Sequence, residues 1–213
     1  MTNITIIGSG NMARGIGTRA VVAGRGLQIL DRDPAKAAAL ATELGAEVTS
    51  GMLTSPLTGD IVVLALPFDA AKDVVTALGS ALSGKTVIDI TNPVDFSTFD
   101  SLVVAPGTSA AEELAALAAP GATIVKAFNT TFAGALVAGT AAGLPLDVFI
   151  ASDSDEANAA VAAFVTDAGQ RPIVVGPLRR ARELEGFQFL VMTLQVNPAF
   201  EDFNWNTSLK VLV

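Results

Sequence analysis

Gly8-Ser9-Gly10-Asn11-Met12-Ala13 is a G-x-G-x-x-A run set between a short apolar strand, Ile4-Thr5-Ile6-Ile7, and a helical stretch. These residue types at this spacing suit one task, the holding of a pyrophosphate. Gly8 permits a tight turn off the strand. Gly10 has no side chain, so phosphate oxygens can approach the backbone, and Ala13 is small enough for the helix to pack on the strand. The helix start adds free N–H groups and a partial positive charge. A second apolar segment, 27–30, ends in Asp31, close to the ~20-residue spacing at which an acidic residue accepts hydrogen bonds from a ribose. The expected ligand is a dinucleotide, NAD or NADP, with Gly8, Gly10, the start of the helix and Asp31 around it.

The residue types that are missing narrow the chemistry. The chain contains no His, no Cys and no Tyr. Ser-His-Asp and Cys-His nucleophilic systems are therefore excluded, as are disulfides, thiolate metal sites and His-based zinc sites. A Tyr or His proton donor is excluded as well. The expectation for metal is none. The weak candidates for a polar catalytic role are Lys126 and Asn129, which would have to orient or protonate a substrate. Lys126 otherwise reads as a surface or strand-end charge.

The elements that must position these residues alternate regularly. Strand-like segments lie at 4–7, 27–30, 61–66, 86–90, 122–127, 147–151 and 172–175. Helical segments lie near 11–23, 34–44, 69–82, 109–118, 154–168 and 178–194. Asp33-Pro34 supplies a cap and a first-turn proline, and Ser109-Ala110-Ala111-Glu112 reads as a capping box. Runs such as Ile61-Val62-Val63-Leu64-Ala65-Leu66 are continuously apolar, as expected where helices cover both faces of a sheet. The predicted fold class is α/β, a doubly wound, mostly parallel Rossmann sheet with a small C-terminal helical portion. Residues 1–150 are expected to form the dinucleotide-binding domain. Residues 151–213 are expected to complete the sheet and to supply a dimer contact. The segment 195–213, with Phe200, Phe203 and Trp205, is irregular and apolar and should pack on its own core or on a second subunit.

Ligands of open α/β sheets bind beyond the carboxyl ends of the strands. Those ends carry Asp31-Arg32-Asp33, Pro67-Phe68, Thr91-Asn92-Pro93-Val94 and Phe128-Asn129-Thr130-Thr131-Phe132. Pro67 and Pro93 would let the chain leave the sheet beside a nicotinamide ribose. A decoy lies elsewhere. Gly79-Ser80-Ala81-Leu82-Ser83-Gly84-Lys85-Thr86 matches G-x-x-x-x-G-K-[ST], but a helix precedes it and a strand follows, the reverse of a phosphate loop. It reads as a helix end with a Gly stop. Arg179, Arg180 and Arg182 read as a solvated helix face, with Arg179–Glu183 and Arg182–Glu185 at helical spacing.

The 213 residues carry a net charge of −8, with 51% hydrophobic and 16% charged residues. An acidic chain argues against nucleic acid and against anionic membranes as partners. No apolar run approaches a membrane span, and no secretory leader is read, so the expected location is cytoplasmic.

Gly8-Ser9-Gly10-Asn11-Met12, Asp89-Ile90-Thr91-Asn92-Pro93, Val125-Lys126-Ala127-Phe128-Asn129-Thr130 and Gly176-Pro177-Leu178 together resemble the F420-dependent NADP oxidoreductase family, over nearly the whole chain. The same domain is similar to the cytosolic part of six-transmembrane ferric reductases, without their membrane helices. The resemblance implies a usually dimeric Rossmann protein that moves a hydride between a nicotinamide dinucleotide and the deazaflavin coenzyme F420. It implies that Gly8 to Met12 hold the pyrophosphate. Leu66, Pro67, Asn92, Pro93 and Val94 would line the nicotinamide, and Asn129, Thr130 and Phe132 would border the second ring. The family's NADP-dependent members carry small polar and paired basic residues after strand two. Here Asp31 stands there, with Arg32 and Lys36 as possible partners of a 2′-phosphate, so NAD and NADP both stay open. The alternatives are a reductase of a small carbonyl or imine, and a non-catalytic module that senses NAD(P)(H).

Overall fold

The computed structural model describes residues 2–203, 205 and 207–212. In chain order the elements are β1 (Ile4–Ile7), α1 (Asn11–Val22), β2 (Leu27–Asp31), α2 (Pro34–Leu44), β3 (Thr49–Met52), β4 (Ile61–Leu64), α3 (Phe68–Leu78) and β5 (Thr86–Asp89). Then follow α4 (Ala110–Leu117), β6 (Thr123–Ala127), α5 (Ala133–Ala138), a hairpin of β7 (Thr140–Ala141) and β8 (Leu144–Pro145), β9 (Asp147–Ala151), α6 (Asp155–Asp167), β10 (Arg171–Gly176) and α7 (Ala181–Val196).

Eight strands form one sheet in the order β10-β9-β6-β5-β4-β1-β2-β3. Every pairing is parallel except β6 with β9. The fold is the α/β Rossmann type that the alternating pattern predicts. The chain runs outward from β1 to β2 and β3, then returns to place β4 on the other side of β1. That reversal between β1 and β4 opens a crevice at their carboxyl ends, where such sheets bind ligands.

The continuous apolar strands have the predicted cause. Ile4, Ile6, Ile61 and Val63 face a core shared with α1, α2, α5 and α6. Ile7, Val62, Leu64 and Val87 face a second core under α3 and α4. Burial of each such side chain contributes about 1.5–3 kcal/mol. Asp33 caps α2 by accepting from the Ala35 and Lys36 amides, Ser109 caps α4 and Ser154 caps α6. Among the described residues no helix is long and apolar enough to cross a membrane.

Several elements differ from the sequence expectation. β3, with the sequence Thr-Ser-Gly-Met, is an edge strand formed by pairing with β2 rather than by its own propensity. The short α5 and the β7–β8 hairpin are also additions. The helix expected at 69–82 ends at Leu78 and tightens into a 3₁₀ turn, Gly79–Leu82, before β5, which confirms that the phosphate-loop look-alike has reversed order. A 3₁₀ turn, Leu178–Arg180, precedes α7, so the expected Arg–Glu pairs do not form. Arg180 pairs with Glu183, and Arg182 reaches Glu112 on α4.

Candidate active site

β1 delivers Gly8 to the crevice with φ +111°, a backbone region that favours glycine. A Cβ there would also lie 2.4 Å from the Ala65 carbonyl oxygen, at the end of β4. Gly8 therefore lets the two central strands end side by side. Gly10 is different. A Cβ on it would meet nothing within 4 Å, so the fold itself does not demand glycine there. The open space at Gly10 faces the start of α1. Gly10 is the N-cap of α1, no side chain caps that end, and no acidic residue lies in its first turn. The free N–H groups and the dipole of α1 are thus presented to the crevice without a protein acceptor.

Two hollows meet at this turn, each of about 590 Å³. They share Gly10, Ala65, Leu66 and Pro67. The first extends over β2 and α2 and is lined by Gly8, Ser9, Asp31, Arg32, Lys36 and Leu53. The Asp31 carboxylate is already engaged. Its Oδ2 accepts from the Ser9 hydroxyl at 2.7 Å and its Oδ1 from the Asp33 amide at 2.9 Å. Each oxygen keeps a lone pair for a ribose hydroxyl. Arg32 and Lys36 make no ion pair and no side-chain hydrogen bond among the described residues.

The second hollow lies over β4 and β5. Asn11, Met12, Phe68, Asn92, Pro93 and Val94 line it, with Phe96, Val103 and Met192 at its far side. Its floor is fixed by a reciprocal amide pair. Asn92 donates to the Asn129 carbonyl at 3.0 Å, and the Asn129 amide donates to Asn92 Oδ1 at 3.0 Å and to the Leu184 carbonyl at 3.2 Å. Beside it Thr91 Oγ1 and Asn129 Oδ1 are buried without a partner among the described residues.

Lys126 is not the surface charge its polarity suggests. It is fully buried, 2.8 Å from Asp89 on β5 and 2.7 Å from Glu185 on α7, and it donates to the Thr91 carbonyl. Burial pushes the Glu185 carboxyl up from the ordinary range, while Lys126 opposes that shift and Asp89 adds to it. Glu185 also accepts from the Ala110 and Ala111 amides at the start of α4. The cluster ties β5, β6, α4 and α7 together behind the hollow, and places the ammonium out of reach of a substrate.

The residues after β6 separate. Asn129 braces Asn92. Thr130 lines a different cavity with Phe149, Val175 and Phe187, away from the dinucleotide turn. Phe132 lines a neighbouring hollow with Asn11, Met12 and Arg14, its ring 5.8 Å from that of Trp205. Sequence reasoning missed Phe96, Val103 and Met192, because nothing in spacing brings 96–103 and α7 to the end of β5. Phe68 was visible only as the residue after Pro67 at a strand end, with no role attached to it. Among the described residues no cluster of carboxylates could hold a metal.

The residues present fit a dinucleotide. The unfilled space at Gly10, the uncapped α1 and the unpartnered Thr91 hydroxyl all lie along one crevice. Comparison with known proteins agrees. Residues 3–93 match the family described as NADP oxidoreductase coenzyme F420-dependent. The chain is 34% identical over 184 residues to the metalloreductase STEAP3 of Rattus norvegicus, which covers 85% of this chain; the chain spans only 35% of that relative's length. It is 27% identical over 202 residues to the F420-dependent NADP reductase of Methanothermobacter thermautotrophicus, covering 89% of this chain and 87% of the relative. The structure of a candidate F420-dependent NADP reductase from Arthrobacter sp. FB24 superposes with a TM-score of 0.80 at 26% identity, over 92% of this chain and 94% of that one. In its sequence through residue 93 and in its fold throughout, the chain resembles the F420-dependent NADP oxidoreductase family.

Proposed function

We propose that this chain is an NADP-dependent oxidoreductase that moves a hydride between the dinucleotide and a second planar ring; deazaflavin F420 is the ring that the family resemblance names, although the lining of the acceptor end offers its anionic arm no Lys or Arg. The observation that carries the proposal is Gly10, whose missing side chain serves no packing purpose but leaves room for a pyrophosphate at an uncapped helix start. Gly8, Ser9, Gly10, Asn11 and Met12 would hold the pyrophosphate. Leu66, Pro67, Asn92, Pro93 and Val94 would flank the nicotinamide. When bound, a nicotinamide dinucleotide would supply the hydride and be left oxidised, and the acceptor's balancing proton would come from water. The protein's part would be to align the two rings with reacting atoms at about 3–3.5 Å. That task needs no acid from the protein, which suits a chain without His, Cys or Tyr.

NADP is favoured over NAD because the Ser9 hydroxyl and the Asp33 amide already satisfy part of the Asp31 charge, while Arg32 and Lys36 stand in the same hollow with no protein partner among the described residues. A 2′-phosphate would take charge-assisted hydrogen bonds from both, worth about 1.5–3 kcal/mol each. Calorimetric titration of NADPH and NADH tests the choice. Wild type should prefer NADPH by at least about tenfold, and Arg32→Ala/Lys36→Ala should erase the preference. Equal affinities in wild type would reverse the assignment. A carbonyl or imine reductase is less well supported, since Lys126 is locked between carboxylates and the Asn129 amide is spent on Asn92 and Leu184. The dimer and the roles of 1–150 and 151–213 belong to the same proposal: β10 extends the sheet, Met192 of α7 walls the site, and a second copy would meet the apolar side of α7 that exposes Phe187 and Leu190.

A further inference from the structure

The acceptor end of the crevice has a charge and shape of its own. Its wall is formed by Phe68, Val94, Phe96, Val103 and Met192, and none of its lining residues is Lys or Arg. Two carboxylates border it, Asp69 and Asp95. Asp69 is neutralised by Lys72 at 2.8 Å, and Lys72 in turn lies 4.4 Å over the Phe68 ring. Among the described residues Asp95 pairs with no cation. It accepts from the Ser97 amide and hydroxyl and from the Thr98 hydroxyl, bonds that hold its carboxyl below the ordinary range, so it is charged at neutral pH.

The loop that carries Asp95 is a built feature rather than a slack connection. Val94 bridges Leu102, the Asp95 amide donates to Ser101, and the Val103 amide donates to Pro93. Phe99 is held at φ +56°, an uncommon conformation for a bulky residue, by donation from its amide to Asp95. That turn sets the Phe99 ring edge-on to Phe96 at 5.9 Å and against Phe189 of α7 at 6.3 Å. The result is an aromatic rim that leaves Phe96 67% exposed at the mouth of the hollow. Strained backbone of this kind clusters at ligand clamps and other functional sites.

Resting on the dinucleotide reading of the crevice, we infer that its acceptor end selects a planar ring without an anionic arm, that Asp95 rejects the same ring when it carries a phosphate or carboxylates near the mouth, and that F420, whose polyglutamylated arm is anionic, is therefore a ring this end does not fit. An anionic arm leaving this hollow would pass Asp95 and meet no unpaired cation on the lining, whereas the cations of the crevice, Arg32 and Lys36, lie at its other end. Flavin analogues isolate the effect, because riboflavin and FMN share one ring and differ by one phosphate. Their equilibrium affinities are measured by flavin fluorescence quenching, with saturating NADP⁺ whose own binding is titrated first in the same preparation. Riboflavin should bind at least about tenfold tighter than FMN at low salt, with the gap narrowing as ionic strength rises. Asp95→Asn, which keeps an acceptor for the Ser97 amide, should narrow the gap severalfold. Equal affinities, an FMN preference, a gap indifferent to salt and to Asp95→Asn, or no riboflavin binding would each overturn the inference. If NADP⁺ itself does not bind, the dinucleotide reading fails instead, and the riboflavin to FMN ratio still decides the ring selectivity.

Discussion

Replacing Lys126 by Met removes one charge from a place where water cannot replace it. The Met side chain keeps most of the lysine stem, so packing changes little. The ammonium lies 2.8 Å from Asp89 and 2.7 Å from Glu185, and none of the three side chains is more than 1% exposed. Two carboxylates that reached one nitrogen are at most about 5.5 Å apart, where like charges repel by about 3 kcal/mol at an effective dielectric of 20. Loss of one member of a buried ion cluster costs about 3–5 kcal/mol in all. For a chain of this size that lowers the melting temperature by roughly 6–20 °C. The pH dependence identifies the cause. With the ammonium gone, the folded pair holds a proton more tightly than the unfolded chain does, so stability falls as pH rises. The deficit relative to wild type, read from denaturant unfolding, should therefore be largest at pH 8 and shrink toward pH 5. Lys126→Met/Glu185→Gln should recover much of the loss. A loss below about 1 kcal/mol, or one that is equal at pH 5 and pH 8, would refute the electrostatic account.

The two glycines of the turn should separate folding from binding. Gly10→Val should keep the wild-type melting temperature yet lose at least about tenfold in NADPH affinity by calorimetry, while Gly8→Ala should destabilise by at least about 2 kcal/mol through its φ and the Ala65 carbonyl. Asp147 ties the C-terminal tail down, accepting from Arg171, Lys210 and the Val211 amide. Burial works against its charge, but those donors outweigh burial and bring its carboxyl from 3.8 down to about 2. The stability it contributes is thus complete above the unfolded value and is lost as pH falls through about 2. Asp147→Asn should cost at most about 2 kcal/mol, since Arg171 and Lys210 are partly exposed, and should change the emission of Trp205, the one tryptophan of the chain, with no change in far-UV dichroism. Unchanged emission would show that the tail is held elsewhere.

The sequence alone determined the Rossmann sheet and the glycine turn after β1, because both are local. Gly8 and Gly10 follow β1 within a few residues, and the apolar runs of β1, β4 and β5 are dictated by burial on two faces. Pro67, Asn92 and Pro93 were legible as strand ends, and strand ends converge in any such sheet. What lay beyond local pattern was decided by tertiary contact. Lys126, a polar residue in an apolar strand, reads as a surface charge until α7 brings Glu185 to it from 59 positions away in the chain. Thr130 and Phe132 sit two residues apart, yet open onto different hollows. Asp31 posed a choice between NAD and NADP that its type could not resolve. The Ser9 hydroxyl, 22 residues earlier, alters that balance by occupying one of its oxygens. The aromatic rim of Phe96, Phe99 and Phe189 exists only because a strained turn and a distant helix meet at the end of β5. Periodicity and turn chemistry fix which residues share an element. Only the packing of elements fixes which charges meet, which are neutralised, and which are left to face a ligand.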